Sequence, residues 1–243
     1  MKAQADSRAK AQPGERPETL HYHLHRQRLR DRFEKAGFAG LAEHEVVELL
    51  LTLAIPRVDV KEQAKALLRR FGNLKGIMDA PIGELRGAAK IGAVAPVAIK
   101  IIKELATLYL QQDAEGSDCL AEPAKLENLW RMRIGGLPNE VFEVTYLDSA
   151  YRPLRDGVER LEEGTIDRAA VYPRKVIEAA LKRGAAAIVL AHNHPNGAVA
   201  PTEQDKLLTR AIVLAAETVR VRVLDHLIVS TNEAFSFKKA GLL

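Results

Sequence analysis

The chain has 243 residues, 47% of them apolar and 28% charged, a balance that excludes a disordered or fibrous protein and suffices for one large or two small globular domains. No apolar run approaches the roughly 18–20 residues of a membrane span, and the single cysteine, Cys119, excludes an intrachain disulfide and fits a reducing, cytoplasmic setting. The net charge of +4 is mildly basic, with 19 Lys and Arg against 16 Asp and Glu in residues 1–118, which is compatible with nucleic-acid contact without requiring it.

Residues 1–19 are polar and contain Pro13 and Pro17 but no apolar core, so they read as a disordered lead-in and not as a signal peptide. Residues 20–112 read as a helical domain. Helices are expected over Leu24–Ala36, stopped by Gly37 and Gly40, over Ala42–Ala54, ended by Pro56, and over Val60–Phe71, with Gly72 as C-terminal cap. A short piece near Leu74–Met78 follows, then Ile82–Arg86 and Val94–Tyr109 around a tight turn at Ala89-Lys90-Ile91-Gly92. Residues 113–124 are polar, with a glycine and a proline, and are expected to be a linker.

In residues 125–243 the period changes. Leu126–Met132 is a candidate helix, and Val141–Leu147 alternates and is rich in β-branched and aromatic residues, as a strand is. Leu154–Glu159 and Gly164–Ile166 are candidate short strands. Pro173–Arg183 is an amphipathic helix stopped at Gly184, Ala185–Leu190 a buried strand, Glu203–Thr218 a helix, and Val219–Val229 a strand expected to be central. Strands alternating with helices predict an α/β (α+β) sandwich.

The chemistry concentrates in Ala191-His192-Asn193-His194-Pro195-Asn196-Gly197, which leads to Pro201-Thr202-Glu203-Gln204-Asp205. His192 and His194 are two apart at a strand end, so both imidazoles face one side. Pro195 ends the ladder and Gly197 lets the chain turn. Asp205 lies in the first turn of the next helix, from where its carboxylate can return over the histidines. Two imidazole nitrogens and a carboxylate, with a fourth position left to water, suit catalytic zinc. Thr202 and Asp205 also fit a helix capping box, an account of Asp205 compatible with the first. His226, inside the apolar run VLDHLIV, reads as structural. His21, His23 and His25 alternate too, but beside a basic helix start with no carboxylate loop.

His-x-His, ten intervening residues and Asp resemble the JAMM (MPN/JAB) metalloprotease signature. The longer string HNHPNG…PTEQD, with GTIDRAAVYPR upstream and VLDHLIV downstream, resembles the bacterial RadC-like proteins over roughly residues 20–243. The resemblance implies a β-sheet sandwiched by helices, one zinc ion per chain held by His192, His194 and Asp205, and a glutamate acting through the metal-bound water. At the position matching that glutamate stands Glu140, with Glu143 a competitor on the opposite strand face. Where the family has Ser eight residues after the second histidine, this chain has Thr202, which keeps a hydroxyl to assist the oxyanion. The implied activity is metallopeptidase or isopeptidase hydrolysis of an unidentified protein or peptide.

Residues Ala88–Ala98 resemble a helix-hairpin-helix with the first turn glycine replaced by Lys90. Such turns offer backbone amides to phosphate, so at most weak, non-specific DNA contact is expected there, with Arg26, Arg28, Arg30, Arg32 and Lys35 as a basic face. The rival to the enzyme is a DNA-associated repair or recombination accessory with a structural metal.

Overall fold

A computed structural model describes residues 17–164 and 171–243 of the chain. Residues 1–16 of the expected lead-in, and the part of the GTIDRAAVYPR motif from Thr165 to Ala170, lie outside the described residues. The chain divides into two compact units, one within residues 17–77 and 81–99, the other of Met78–Ala80 with Lys100–Leu243.

The first unit is helical. It contains α1 (Pro17–Ala36), a 3-10 turn (Gly37–Gly40), α2 (Glu43–Thr52) and α3 (Lys61–Phe71), followed by α4 (Leu74–Asp79), α5 (Ile82–Ala88) and the start of α6 (Val94–Glu115). Leu29, Val47, Leu51, Ala64, Leu67 and Leu85 are buried. Two members of the expected basic face are engaged inside this unit. Arg26 is buried and donates to the carbonyls of Ile55 (2.8 Å) and Val58. Arg32 forks onto the Glu45 carboxylate at 2.7 and 3.0 Å. His25 pairs with the buried Glu48 at 2.7 Å. The side chains of His21 and His23 lie outside the described ones.

The hairpin between α5 and α6 turns at Lys90, with φ +50°, and Gly92, with φ +70°. Lys90 thus adopts the left-handed backbone that a glycine would take without steric conflict. A non-glycine residue there is strained by about 1–2 kcal/mol. Lys90→Gly is therefore expected to stabilise the chain by about 1 kcal/mol, less the extra freedom glycine has when unfolded; a denaturant titration measures it.

The division between units falls before the expected linker. Residues 113–124 belong to the second unit: α6 runs to Glu115, the Cys119 amide donates to the Tyr151 carbonyl at 3.0 Å, the Cys119 side chain is buried, and Pro123 opens α7 (Pro123–Arg133). Met78–Ala80 join this unit as well, where Lys103 pairs with Asp79 at 2.7 Å.

The second unit is built on five strands: β1 (Glu140–Leu147), β2 (Pro153–Gly164), β3 (Ala187–Asn193), β4 (Arg222–Val229) and β5 (Ala234–Ser236), in the order β2-β1-β3-β4-β5. Only β3 and β4 are parallel, joined by α9 (Glu203–Thr218); α8 (Pro173–Arg183) precedes β3. Side chains alternate across the sheet. Val141, Leu147, Val189 and Ala191 face Leu126, Leu129 and Trp130 of α7. Phe142, Val144, Ile188 and Leu190 face Val176 and Ala180 of α8 and Ile212 and Ala216 of α9. The sheet is sandwiched by helices, as expected.

Three details differ from expectation. β3 is the middle strand, and the strand expected at 219–229 is an inner one, β4. The latter begins only at Arg222, because Val219 and Val221 still donate to the Ala216 carbonyl as the end of α9 unwinds. The short strand expected at 154–159 runs on over Pro153–Gly164 as the edge strand β2, paired with β1 through bulges, while Thr165 and Ile166 of the strand expected at Gly164–Ile166 lie outside the described residues. The three-residue β5 was not expected.

Candidate metal centre

Strand direction assembles the site. β1 runs antiparallel to β3 with Phe142 opposite His192. Glu140, the first residue of β1, lies two residues before that pair and so shares the sheet face of Phe142 and His192. Helix α9 starts above the same sheet end and delivers Asp205 in its first turn. His192, His194 and Asp205 converge, each offering one ligand atom within 4.8 Å of the others, and they are the one such His/Cys/Asp/Glu group among the described residues.

The separations fit a metal. His192 Nε2 lies 3.0 Å from His194 Nε2 and 3.3 Å from Asp205 Oδ1, and His194 Nε2 lies 3.4 Å from Asp205 Oδ2. Tetrahedral ligands at zinc–nitrogen distances of about 2.0–2.1 Å stand about 3.3 Å apart, and each imidazole lies near that spacing from its own oxygen of Asp205, His192 from Oδ1 and His194 from Oδ2.

Each histidine is held by its other nitrogen. His194 Nδ1 donates to the Ala198 carbonyl at 2.9 Å, across a loop that turns at Gly197 with φ +77°. His192 Nδ1 lies 2.8 Å from His226 Nε2, and His226 Nδ1 lies 2.6 Å from Thr209 Oγ1. Asp205 is fixed by the capping box. The Thr202 amide and hydroxyl both donate to Oδ2 at 2.7 Å, and the Asp205 amide donates back to the Thr202 hydroxyl at 3.2 Å. The capping and ligand accounts of Asp205 thus hold together. The hydroxyl proton that would assist an oxyanion is, in this arrangement, bonded to Asp205.

Burial works against the Asp205 charge, but the adjacent imidazoles of His192 and His194 outweigh it and hold the carboxyl well below the usual range. The hydrogen bond to Asp205 raises the His194 pKa, with Glu140 adding to the effect through its charge. Burial pushes His226 well down, helped by the neighbouring His192. The two candidate glutamates part company. Glu143 is fully buried on the α7 face, gripped by Arg133 at 2.7 Å and Arg160 at 3.2 Å. Glu140 lies on the histidine face, partly exposed.

Asn193, between the histidines, points to the opposite face and was not singled out by the sequence. It is fully buried. It accepts from the Val141 amide at 2.8 Å and donates to the carbonyls of Asn139 at 3.0 Å and Leu137 at 3.3 Å, so its bonds straddle Glu140.

Residues 120–242 match the family model for the RadC-like JAB domain. The chain is 37% identical over 217 residues to a UPF0758 protein of Burkholderia cenocepacia, covering 89% of this chain and 84% of that one. It is 38% identical over 218 residues to a UPF0758 protein of Aromatoleum aromaticum, covering 89% and 96%. With the converging histidines and aspartate on a helix-sandwiched sheet, this similarity assigns the chain to the RadC-like family of JAB-domain proteins.

Proposed function

We propose that this chain is a zinc-dependent metallohydrolase that cleaves an amide or isopeptide bond in a protein or peptide. The observation that supports the reading is the convergence of His192 Nε2, His194 Nε2 and the Asp205 carboxylate, 3.0–3.4 Å apart, beside the entrance of β1. These three residues would hold the ion, leaving its fourth position to water or substrate. The chemistry a zinc ion would supply there is Lewis-acid polarisation of a carbonyl and activation of water at neutral pH.

The rest of the chemistry falls to side chains. Glu140, on the same sheet face, takes the proton from the attacking water and passes it to the leaving nitrogen. Thr202 holds Asp205 through Oδ2, and a rotation of its hydroxyl would let it meet developing negative charge on the carbonyl oxygen.

Metal analysis of protein purified without chelators, followed by a proteome-wide cleavage screen, tests the reading. His192→Ala or His194→Ala should remove most bound zinc. A wild-type chain that carries no metal and binds none when offered would end the enzyme reading.

The rival reading, a DNA-associated accessory, draws on the left-handed turn at Lys90 and Gly92 and on Arg28, Arg30 and Lys35, which are exposed. Such a contact would be weak and non-specific, with a shallow salt dependence. Sub-micromolar affinity at physiological salt without cleavage of any peptide would favour the rival.

A further inference from the structure

His226 and Thr209 lie outside the ligand set, yet their hydrogen bonds have a direction that can be worked out from a fixed end. Thr209 Oγ1 is 2.6 Å from the Asp205 carbonyl. A carbonyl only accepts, so the threonine proton is committed there. Its oxygen must then accept from His226 Nδ1, 2.6 Å away, and that nitrogen carries a hydrogen. The His226 ring is fully buried, stacked on Phe237 at 4.8 Å and edge-on to Phe142 at 5.6 Å, with no carboxylate bonded to either nitrogen. A neutral ring with hydrogen on Nδ1 has a bare Nε2. His192 Nδ1, 2.8 Å from that nitrogen, must therefore donate to it. In the neutral ring this leaves His192 Nε2 unprotonated, facing His194 and Asp205.

We propose that Thr209 and His226 form a relay that fixes the tautomer and ring plane of His192, so that its Nε2 lone pair is presented before any ion arrives. The relay starts on the backbone of Asp205 and ends on His192. It thereby links two ligand candidates from different elements, α9 and β3, through β4. Both relay residues are positioning groups. Hydrogen-bonded partners of this kind orient ligating histidines, and their loss lowers metal affinity by about 10–100-fold. The inference rests on the metal-site reading above.

Two measurements test it. In metal-free wild-type protein with 15N-labelled imidazoles, long-range nitrogen–proton correlation should show His192 as the Nδ1–H tautomer. Zinc affinity is then measured by competition with a chromophoric chelator, at a temperature where every variant is folded. Thr209→Val and His226→Phe should each weaken zinc by about 10–100-fold and alter the visible spectrum of the cobalt-substituted protein. Thr209→Ser, which keeps the hydroxyl, should bind like wild type. His226→Phe retains the ring stack and guards against a variant that does not fold. A purely structural role would lower the melting temperature of the metal-free variants and leave affinity and cobalt spectrum unchanged. An Nε2–H tautomer at His192, or unchanged zinc affinity in both variants, would overturn the relay. Absence of zinc binding by the wild type would instead remove the metal site itself.

Discussion

Glu140→Gln is expected to retain zinc near one per chain and an unaltered melting curve, yet to lower hydrolysis by about 10²–10⁴-fold, the usual worth of a general base. The amide keeps the size of the side chain but cannot take a proton. Glu143→Gln should do the reverse. Its carboxylate is fully buried between Arg133 and Arg160, and removing one partner from a buried charge cluster costs about 3 kcal/mol or more. Both arginines are partly exposed and can recover some hydration, which places the loss at the low end. Its zinc content should stay near wild type, because the side chain points to the α7 face. Metal must be measured beside activity in each variant, since a lost ion mimics a lost base. Loss of zinc from Glu140→Gln would make Glu140 a ligand. Full activity with full zinc would exclude it as the base.

The candidate metal-binding cluster was legible because its convergence depends on local rules. Side chains at i and i+2 of a strand share a face, and a Thr-x-x-Asp cap turns its acid back toward the preceding loop. His226 was not legible. Its place beside His192 comes from the parallel register of β3 and β4, which shifts by one residue between Ile188 and Val189. No pattern within VLDHLIV announces that shift, and an apolar setting for a histidine reads as plain core. The partner of Thr209 lay equally far from any local signal.

The choice between Glu140 and Glu143 could be narrowed from alternation to opposite faces, but which face held the histidines required the β1–β3 pairing. The edge strand β2 runs past the expected end at Glu159, because Arg160, Glu162 and Glu163 look like loop residues. Charged residues are common on edge strands, where they discourage pairing with other chains, and Arg160 meets Glu143 there. The polar segment 113–124 marked a real break between α6 and α7, but composition alone does not distinguish a turn inside a unit from a linker between units.

Asn193→Ala is expected to destabilise the chain by about 3 kcal/mol or more and to damage catalysis without emptying the metal site. The side chain satisfies the Val141 amide and the Leu137 and Asn139 carbonyls. Each backbone group left unpaired in a buried setting costs about 1–3 kcal/mol, with the carbonyls able to recover part of this through water. Asn193→Asp should be at least as harmful, because it keeps the acceptor for Val141 but loses both donors and sets a buried charge against two carbonyl oxygens. The histidines on either side point to the other face and are held separately, His194 by Ala198 and His192 by His226, so zinc should remain near one per chain. The chain around Glu140 loses its anchor at positions 137, 139 and 141, and misplacement of a catalytic group by about 1 Å can cost about 10²-fold in rate. Calorimetry, metal analysis and turnover on whichever substrate the cleavage screen yields would then show stability and turnover falling while zinc stays. Zinc lost in parallel with turnover would mean that Asn193 holds the ligand strand itself, and that the placement of Glu140 depends on the β1–β3 ladder alone.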